Sequence, residues 1–116
     1  MSLLIRIDPD PKTEPVLRDP LPERLISKSP KLKSWEQDIS REDISTGIFE
    51  ATPGVTHSIK GEAFEFCHII SGEIELTPDG GQHVRFKAGD SFVMKPGFTG
   101  VWNTIETVRK IYVAVK

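Results

Sequence analysis

The sequence predicts an all-β fold, and three features of the chain support this. From Trp35 onward, short apolar runs alternate with turn residues. That region contains no stretch that keeps the 3.6-residue period of an amphipathic helix over about eleven positions. All nine glycines lie at or after Gly47, where they can supply turns between strands. Because a sheet of about eight short strands must curl or close to protect its edges, we expect a sandwich or a barrel.

Two parts of the chain differ in composition, and this difference predicts the domain organisation. The length of 116 residues is that of one domain. Six of the nine prolines lie within the first thirty residues. Proline lacks the amide donor and restricts the residue before it, so this segment cannot be a central strand or a long helix. We interpret residues 1–34 as an extended N-terminal arm and residues 35–116 as the folded β domain.

The arm carries two short signals of structure. Leu3, Ile5 and Ile7 recur at every second position and predict one edge strand. A short turn of helix is expected after Pro22. A poorly ordered tail over residues 1–15 is the alternative. We expect the arm to pack across its own barrel or the edge of a partner subunit, because an exposed sheet edge favours unwanted pairing.

The β domain divides into eight predicted strands separated by turns of Gly, Pro and Asp. The strands cover residues 47–51, 55–59, 63–70, 73–77, 82–86, 91–94, 100–105 and 108–115. The turn residues between them include Pro53-Gly54, Lys60-Gly61, Ser71-Gly72, Pro78-Asp79-Gly80-Gly81, Ala88-Gly89-Asp90 and Lys95-Pro96-Gly97.

Composition excludes several classes of function. Fifteen Lys and Arg against seventeen Asp and Glu give a net charge of −2, so we expect no nucleic-acid partner. A run of about 18 or more apolar residues, as a membrane span needs, does not occur, and we expect no membrane partner. The single cysteine, Cys67, cannot form an internal disulfide, and the first residues do not resemble a signal peptide. We therefore expect a cytoplasmic protein.

Two ordered motifs carry a resemblance to a known family. Residues 65–72 (EFCHIISG) resemble the end of the first cupin motif, and residues 89–97 (GDSFVMKPG) resemble the start of the second. Three further stretches are similar to small single-domain cupins grouped with ureidoglycine aminohydrolase: residues 52–54 (TPG), 97–102 (GFTGVW) and 106–112 (ETVRKIY). The resemblance covers residues 35–116 and implies a cupin (RmlC-like) double-stranded jelly-roll β-barrel, usually homodimeric.

The resemblance does not extend to the metal site of the family. Metal-binding cupins use a His-x-His pair shortly before a glutamate and a late histidine, a donor set that suits divalent transition metals. In this chain only the glutamate, Glu65, is present. The histidine positions hold Ser58 and Lys60 or, in the alternative spacing, Ile59 and Gly61, and the late position holds Gly100. We expect no tightly bound metal or other cofactor, with Glu65 as a weak metal candidate.

Strand alternation selects the candidate catalytic residues. It places Glu65 and Cys67 on one face, which the resemblance makes the inner one. Glu65 is a candidate acid, base or ligand, with a structural ion pair as the alternative. Cys67 is a candidate nucleophile, but a lone buried thiol is more often an inert small hydrophobe.

The candidate ligand-binding residues are Lys60, Glu65, Trp102, Arg109 and Tyr112. Trp102 and Tyr112 are amphipathic rings that could line the barrel mouth, and Arg109 offers a planar fork for a carboxylate or ureide-like ligand. Core packing is the alternative for the two rings.

One predicted contact is specific enough to test. Lys60 stands in a vacated histidine position, and a buried carboxylate needs a cation or a proton. We therefore expect the Lys60 ammonium beside Glu65. Lys60→Ala should raise the pKa of Glu65, and the joint change Lys60→Met, Glu65→Leu should cost less stability than either change alone.

Three functions fit these observations. The first is a metal-independent cupin that binds a small polar molecule in its barrel. The second is a metal-dependent enzyme that acts on a small nitrogenous, ureide-like compound, with the metal completed by His57, His68 or water in a different strand register. The third is an accessory homodimer whose barrel is filled by its own side chains. The sequence names no substrate, because fold does not determine function.

Overall fold

The computed structural model describes residues 2–116, and Met1 lies outside the described residues. Nine strands and one short 3₁₀ helix cover this part of the chain. They run in the order β1 (Val16–Arg18), the 3₁₀ helix (Pro22–Arg24), β2 (Leu25–Ser27), β3 (Leu32–Arg41), β4 (Ile44–Ala51), β5 (Gly54–Ile59), β6 (Phe64–Pro78), β7 (Val84–Lys87), β8 (Ser91–Met94) and β9 (Thr99–Val115). No helix among residues 2–116 is long and apolar enough to cross a membrane.

Two long strands form the centre of the fold. β6 and β9 pair antiparallel over almost their whole length. On the free edge of β9, β5 pairs with its first part and β4 with its last part. On the free edge of β6, β8 and β7 pair with successive parts of the strand. β3 and β1 extend the sheet beyond β4, and β2 extends it beyond β5. The sheet therefore curls around one interior, which confirms the predicted all-β barrel.

The long strands differ from the prediction, which divided each of them in two. The pairing of β6 with β9 shifts register around residues 69–74, so the break predicted at Ser71-Gly72 is a bulge and not a hairpin turn. Gly72 has a φ of 86°, and a Cβ at this position would collide with the backbone oxygen of Thr107. A glycine is needed here because the backbone turns left-handed where another strand passes closely. Both strands continue past the bulge, and each of them contributes residues to both halves of the barrel.

Most other turns match the prediction. Residues 60–63, 78–81, 87–90 and 95–98 each close with a backbone hydrogen bond of 2.8–3.0 Å. The strand over residues 91–94 is found with the predicted bounds. The prediction missed three strands, namely β1, β2 and β3. The longest of them, β3, is rich in charged residues and follows Pro30. β3 also continues across the boundary placed between residues 34 and 35.

The N-terminal segment forms different strands from the one predicted. Residues 3–7 have no regular structure, and Leu3 is fully exposed, so the edge strand expected from Leu3, Ile5 and Ile7 is wrong. Val16–Arg18 pairs instead with residues 32–34 of β3. This edge of β3 is therefore not available to residues 3–7. The helical turn expected after Pro22 is confirmed as the 3₁₀ helix.

The core lies between the two halves of the barrel. Its buried side chains come mainly from the inward positions of β6 and β9. They are Ala51, Cys67, Ile69, Ile74, Leu76, Met94, Trp102 and Val108. On β9 the inward positions continue past Val108 to Lys110, a buried charged residue. This placement brings a cation into the interior.

Candidate functional site

Glu65 is the centre of a charged cluster inside the barrel. It lies near the start of β6, between Met94 of β8 and Ala114 of β9. The predicted alternation is confirmed, because Cys67 and Ile69, which share its face, are fully buried. Lys60 directly follows the last residue of β5, and its backbone N–H donates to the carbonyl of Phe98 at 2.9 Å. This bond fixes the lysine opposite Glu65.

Two ammonium groups hold the carboxylate of Glu65. The Lys60 Nζ donates to Glu65 Oε1 at 2.7 Å, so the predicted contact is confirmed. The Lys110 Nζ donates to Glu65 Oε2 at 2.6 Å. The Cys67 thiol also donates to Oε2, at 3.1 Å. Both carboxylate oxygens are therefore occupied, each by a different lysine.

The charges in this cluster stabilise one another. Burial alone would raise the pKa of Glu65, but the charges and hydrogen bonds of Lys110 and Lys60 outweigh it and lower the pKa to about 2. Burial alone would lower the pKa of Lys110, but the adjacent Glu65 raises it. These shifts keep Glu65 ionised and Lys110 protonated near neutral pH.

Cys67 has the environment of an inert thiol. Burial and the adjacent Glu65 raise its pKa to about 12, although the charge of Lys110 opposes this shift. Only the thiolate is a good nucleophile, and at neutral pH this thiol stays protonated. These surroundings argue against the nucleophilic role considered for Cys67.

Aromatic rings enclose the Lys110 ammonium on the remaining sides. It lies 4.8 Å from the ring centroid of Phe49 and 4.6 Å from that of Trp102, within the range of cation–π attraction. The indole of Trp102 donates to Thr104 Oγ1 at 3.0 Å, which fixes the ring. Lys110 is thus held by a carboxylate, a thiol and two rings, and its side chain is only 7% exposed.

A cavity of about 1060 Å³ opens beside this cluster. Lys60, Glu65, Trp102 and Tyr112, four of the five predicted ligand-binding residues, line it together with Lys110. Burial raises the pKa of Tyr112, mainly by disfavouring the phenolate. The structure therefore brings these side chains to one space inside the barrel.

The structure does not bring Arg109 to this space. Arg109 is adjacent to Lys110 on β9, so its side chain points to the opposite, outer face of the sheet. Its Nη2 donates to Glu50 Oε1 at 2.9 Å, and its Nη1 donates to the backbone oxygen of Pro9 at 3.1 Å and to Asp10 Oδ1 at 3.2 Å. The guanidinium also lies 5.1 Å from the ring centroid of Trp35. Arg109 therefore holds the N-terminal segment rather than the cavity.

Sequence reasoning missed Lys110, although a signal was present. Val108, Lys110 and Tyr112 occupy alternate positions on one predicted strand, so a charged residue shares the face of two apolar ones. The contact itself joins residues 45 positions apart. It depends on the register that sets Ile69 opposite Lys110, and one sequence does not fix that register.

The histidines do not converge. His57 is exposed, the Nδ1 of His68 lies 2.7 Å from Ser91 Oγ, and the Nδ1 of His83 lies 2.6 Å from Thr77 Oγ1. Within residues 2–116, no group of three or more His, Cys, Asp or Glu side chains is close enough to hold a metal ion.

The donors around Glu65 do not fit the metal that cupins commonly hold. The Ser58 hydroxyl makes only a weak contact, at 3.7 Å, with Met94 Sδ. A Cβ on Gly100 would lie 2.6 Å from the backbone oxygen of Thr77, so this backbone conformation leaves no room for an imidazole. The Glu65 carboxylate already accepts from two ammonium groups. One occupied carboxylate and one protonated thiol do not make a transition-metal site.

Solved structures share this fold. The chain is similar to a DUF861-family protein of unknown function from Pseudomonas syringae pv. tomato, with a TM-score of 0.79 and 22% identity over 94% of this chain and 46% of that one. The Clostridium difficile EutQ protein gives a TM-score of 0.64 and 17% identity, covering 74% of this chain and 63% of that one. Ectoine synthase from P. lautus gives 0.66 and 15%, covering 84% and 67%.

These similarities confirm the jelly-roll fold of the cupins. The chain spans about half the length of the Pseudomonas syringae protein. No curated protein matches the sequence significantly. The family model described as the EutQ-like cupin domain matches residues 40–112, which is more than half of the chain. The chain therefore belongs to the family of EutQ-like cupin domains.

Proposed function

We propose that this cupin binds a small polar molecule inside its barrel, without a tightly bound metal. The observation that carries the proposal is the cavity of about 1060 Å³ that opens onto the Lys60–Glu65–Lys110 cluster. Ligand sites are typically concave, mostly apolar and equipped with a few fixed polar groups. Here the fixed groups are the two lysines and Glu65, and Trp102 supplies an apolar wall.

The cavity favours this function over that of a ligand-free accessory protein. An accessory barrel would fill its interior with its own side chains. This chain instead leaves a half-open cavity of about 1060 Å³, slightly above the usual range of small-molecule sites, which is about 300–1,000 Å³. The open volume also reaches Tyr112, whose hydroxyl makes no hydrogen bond to another group among residues 2–116. A ligand would use such a hydroxyl.

The second candidate is a metal-dependent enzyme that acts on a small nitrogenous, ureide-like compound. It rests on the resemblance to the ureidoglycine aminohydrolase group, which stays a prediction. The donor set around Glu65 gives it no support, because the two lysine ammonium groups stand where a metal would need ligands. Elemental analysis of protein purified without added metal separates the two candidates. We expect far less than one transition-metal ion per chain, and a stoichiometric amount of manganese, iron, nickel or zinc would favour the enzyme.

The two tryptophans provide an internal control for ligand binding. Trp102 lines the cavity, whereas Trp35 lies on the outer side of the sheet, where its Nε1 donates to the backbone oxygen of Thr13 at 2.9 Å. We would titrate ¹⁵N-labelled protein with small carboxylates, amides, ureas and amines, and follow both indole N–H signals. We expect at least one class of compound to shift the Trp102 signal and leave the Trp35 signal in place. If no compound moves Trp102 at millimolar concentration, the proposal is wrong.

The proposal also includes the assembly and the location of the protein. We propose a homodimer in the cytoplasm, on the basis of the resemblance to small cupins and of the composition. Exposed apolar side chains on β1, such as Leu17 at 69% exposure, give a second subunit apolar surface to cover. A mass near 13.0 kDa by light scattering, constant over the working concentration range, would contradict the dimer.

A further inference from the structure

The interior cluster carries an excess positive charge. Glu65 contributes one negative charge and Lys60 and Lys110 contribute two positive ones. Their side chains are only 7–18% exposed. A buried charge without a counter-charge is costly, so this arrangement is most stable when a further anion lies near it.

The two lysines differ in the donors that they leave free. Lys110 contacts Glu65, Cys67 and two aromatic rings. Lys60 donates to Glu65 Oε1, and no other protein group within residues 2–116 accepts from its ammonium. An ammonium group has three donors, so Lys60 retains two. Lys60 lines the cavity and is therefore the cation that a ligand can reach.

The rest of the cavity wall does not offset this positive charge. Outside the cluster, four cationic and three anionic side chains line the cavity. One of the four cations, Lys33, lies 3.9 Å from the carboxylate of Glu50 and is therefore paired. The wall is close to neutral, and the positive charge of the cavity is that of the cluster.

Apolar side chains complete the site. Met94, Trp102 and Phe49 line the same cavity near the charged cluster. Among these three, the only hydrogen-bonding group is the indole N–H of Trp102, which already donates to Thr104. Polar side chains such as Ser58 and Tyr112 also line the cavity. A matching ligand has an anionic group at Lys60 and an apolar part against Trp102.

From these four observations we propose that the ligand class is a small monocarboxylate, whose carboxylate accepts from Lys60 and whose apolar body contacts Trp102. This inference rests on the proposed function and adds the chemical class of the ligand. A carboxylate suits the site because it can accept charge-assisted hydrogen bonds from an ammonium and supplies the one missing negative charge.

The test compares matched pairs of compounds that differ in charge but hardly in shape. Benzoate with benzamide, and butyrate with butyramide, are titrated into the full chain at low salt, with calorimetry or the Trp102 indole signal as the readout. We expect each carboxylate to bind about tenfold or more tightly than its amide, which is the scale of one charge-assisted hydrogen bond. Equal binding of acid and amide would overturn the monocarboxylate class and leave the proposed function standing. If neither member of either pair binds, the monocarboxylate class is wrong, and the proposed function fails with it only if no urea or amine moves the Trp102 signal either.

Two variants assign the preference to Lys60. Lys60→Met should reduce carboxylate affinity by about tenfold and leave amide affinity nearly unchanged. Lys60→Arg retains the charge and should keep most of the preference, which also covers the case in which the Met variant does not fold. The matched control is Lys95→Met, which removes an equal charge from an exposed lysine outside the cavity. An equal loss in the Lys95 and Lys60 variants would show only a general effect of charge, and would overturn the assignment.

Discussion

Two ion clusters lie on opposite faces of β9, and they differ in what surrounds them. On the inner face, Lys110 and Lys60 hold Glu65 with side chains that are at most 18% exposed. On the outer face, Arg109 joins Glu50, which is similarly covered, to Asp10, which is 68% exposed. The two central cations are neighbours in sequence, so strand alternation alone sends them to opposite sides.

The comparison shows how the surroundings decide what an ion pair can do. The outer cluster ties the N-terminal segment to the sheet, and water weakens the pairing of Arg109 with the exposed Asp10. The inner cluster lies beside a cavity and is largely shielded from water, so its charge interactions are stronger and an unmatched charge costs more. Only the inner cluster has an excess positive charge that an anion would offset and a cavity in which an anion fits.

The largest expected effect comes from removing the central carboxylate of each cluster. Glu65→Leu leaves two ammonium groups buried side by side, and we expect a loss of about 3–5 kcal/mol in the free energy of unfolding. The outer counterpart, Glu50→Leu, should cost about 1 kcal/mol, because Arg109 keeps Asp10 and water as partners. Urea denaturation measures both values. Similar costs for the two variants would contradict the difference drawn between the faces.

A double variant sharpens the first prediction and corrects the expectation from sequence. Removing Lys60 and Glu65 together was expected to cost less than either change, but it would leave Lys110 buried without a carboxylate. The structure therefore selects another pair. We expect Glu65→Leu combined with Lys110→Met to lower the free energy of unfolding less than Glu65→Leu alone. The double variant leaves no fully buried ammonium without a carboxylate, because the remaining Lys60 lies at the cavity.

Acid should weaken the inner cluster more than the outer one. The pKa of Glu65 is lowered from 4.5 to about 2, so its contribution to stability is present above about pH 4.5 and is lost as the pH falls through 2. The shift corresponds to roughly 3 kcal/mol. The difference in unfolding free energy between the native chain and Glu65→Leu should therefore shrink by about this amount between pH 5 and pH 2.

The outer cluster provides the control for this pH dependence. The pKa of Asp10 is also lowered, first by its hydrogen bond with Lys12 and by the charge of Lys12, and then by Arg109. The Asp10 side chain is mostly exposed to solvent, so Asp10→Asn should leave the acid dependence of stability nearly unchanged. A large change in the Asp10 variant, or none in the Glu65 variant, would reverse the comparison.

A smaller effect is expected at Arg109. Arg109→Met removes the hydrogen bonds to Glu50, Pro9 and Asp10 and the contact over Trp35. We expect a loss of about 1–2 kcal/mol and faster amide hydrogen exchange in residues 8–13. Ligand affinity measured at Trp102 should not change, because Arg109 does not line the cavity. A change in affinity would mean that the two faces are coupled through β9.

The features that were predicted correctly from the sequence depend on contacts between residues that lie close together in the chain. The turns at Gly61, Gly89 and Gly97 follow from residue types that tolerate a positive φ. The Lys60–Glu65 contact spans one turn and five positions, so alternation and a turn signal were sufficient to predict it.

The parts that were missed depend on pairing between distant strands. The bend at Gly72 becomes necessary only when Thr107 of β9 passes beside it. Arg109 and Tyr112 were expected at one site, but they lie three positions apart on a strand and therefore point to opposite faces. Lys110 was identified only once the register of β6 on β9 placed it beside Glu65. β3 was missed because its charged residues hide its alternation.

The smallest expected effect distinguishes the two lysines of the inner cluster. Lys60→Met should raise the pKa of Glu65, because it removes one of two adjacent positive charges, while Lys110 still holds the other carboxylate oxygen. Lys60→Met should lower the free energy of unfolding by about 1 kcal/mol, against several for Lys110→Met. Lys60 is partly exposed, and its removal also relieves the excess positive charge of the cluster. Urea denaturation gives the stability and carbon-detected NMR titration gives the pKa of Glu65, with Lys95→Met as the matched control. If Lys60→Met costs as much as Lys110→Met, then Lys60 is a structural partner of Glu65 rather than a cation available to a ligand.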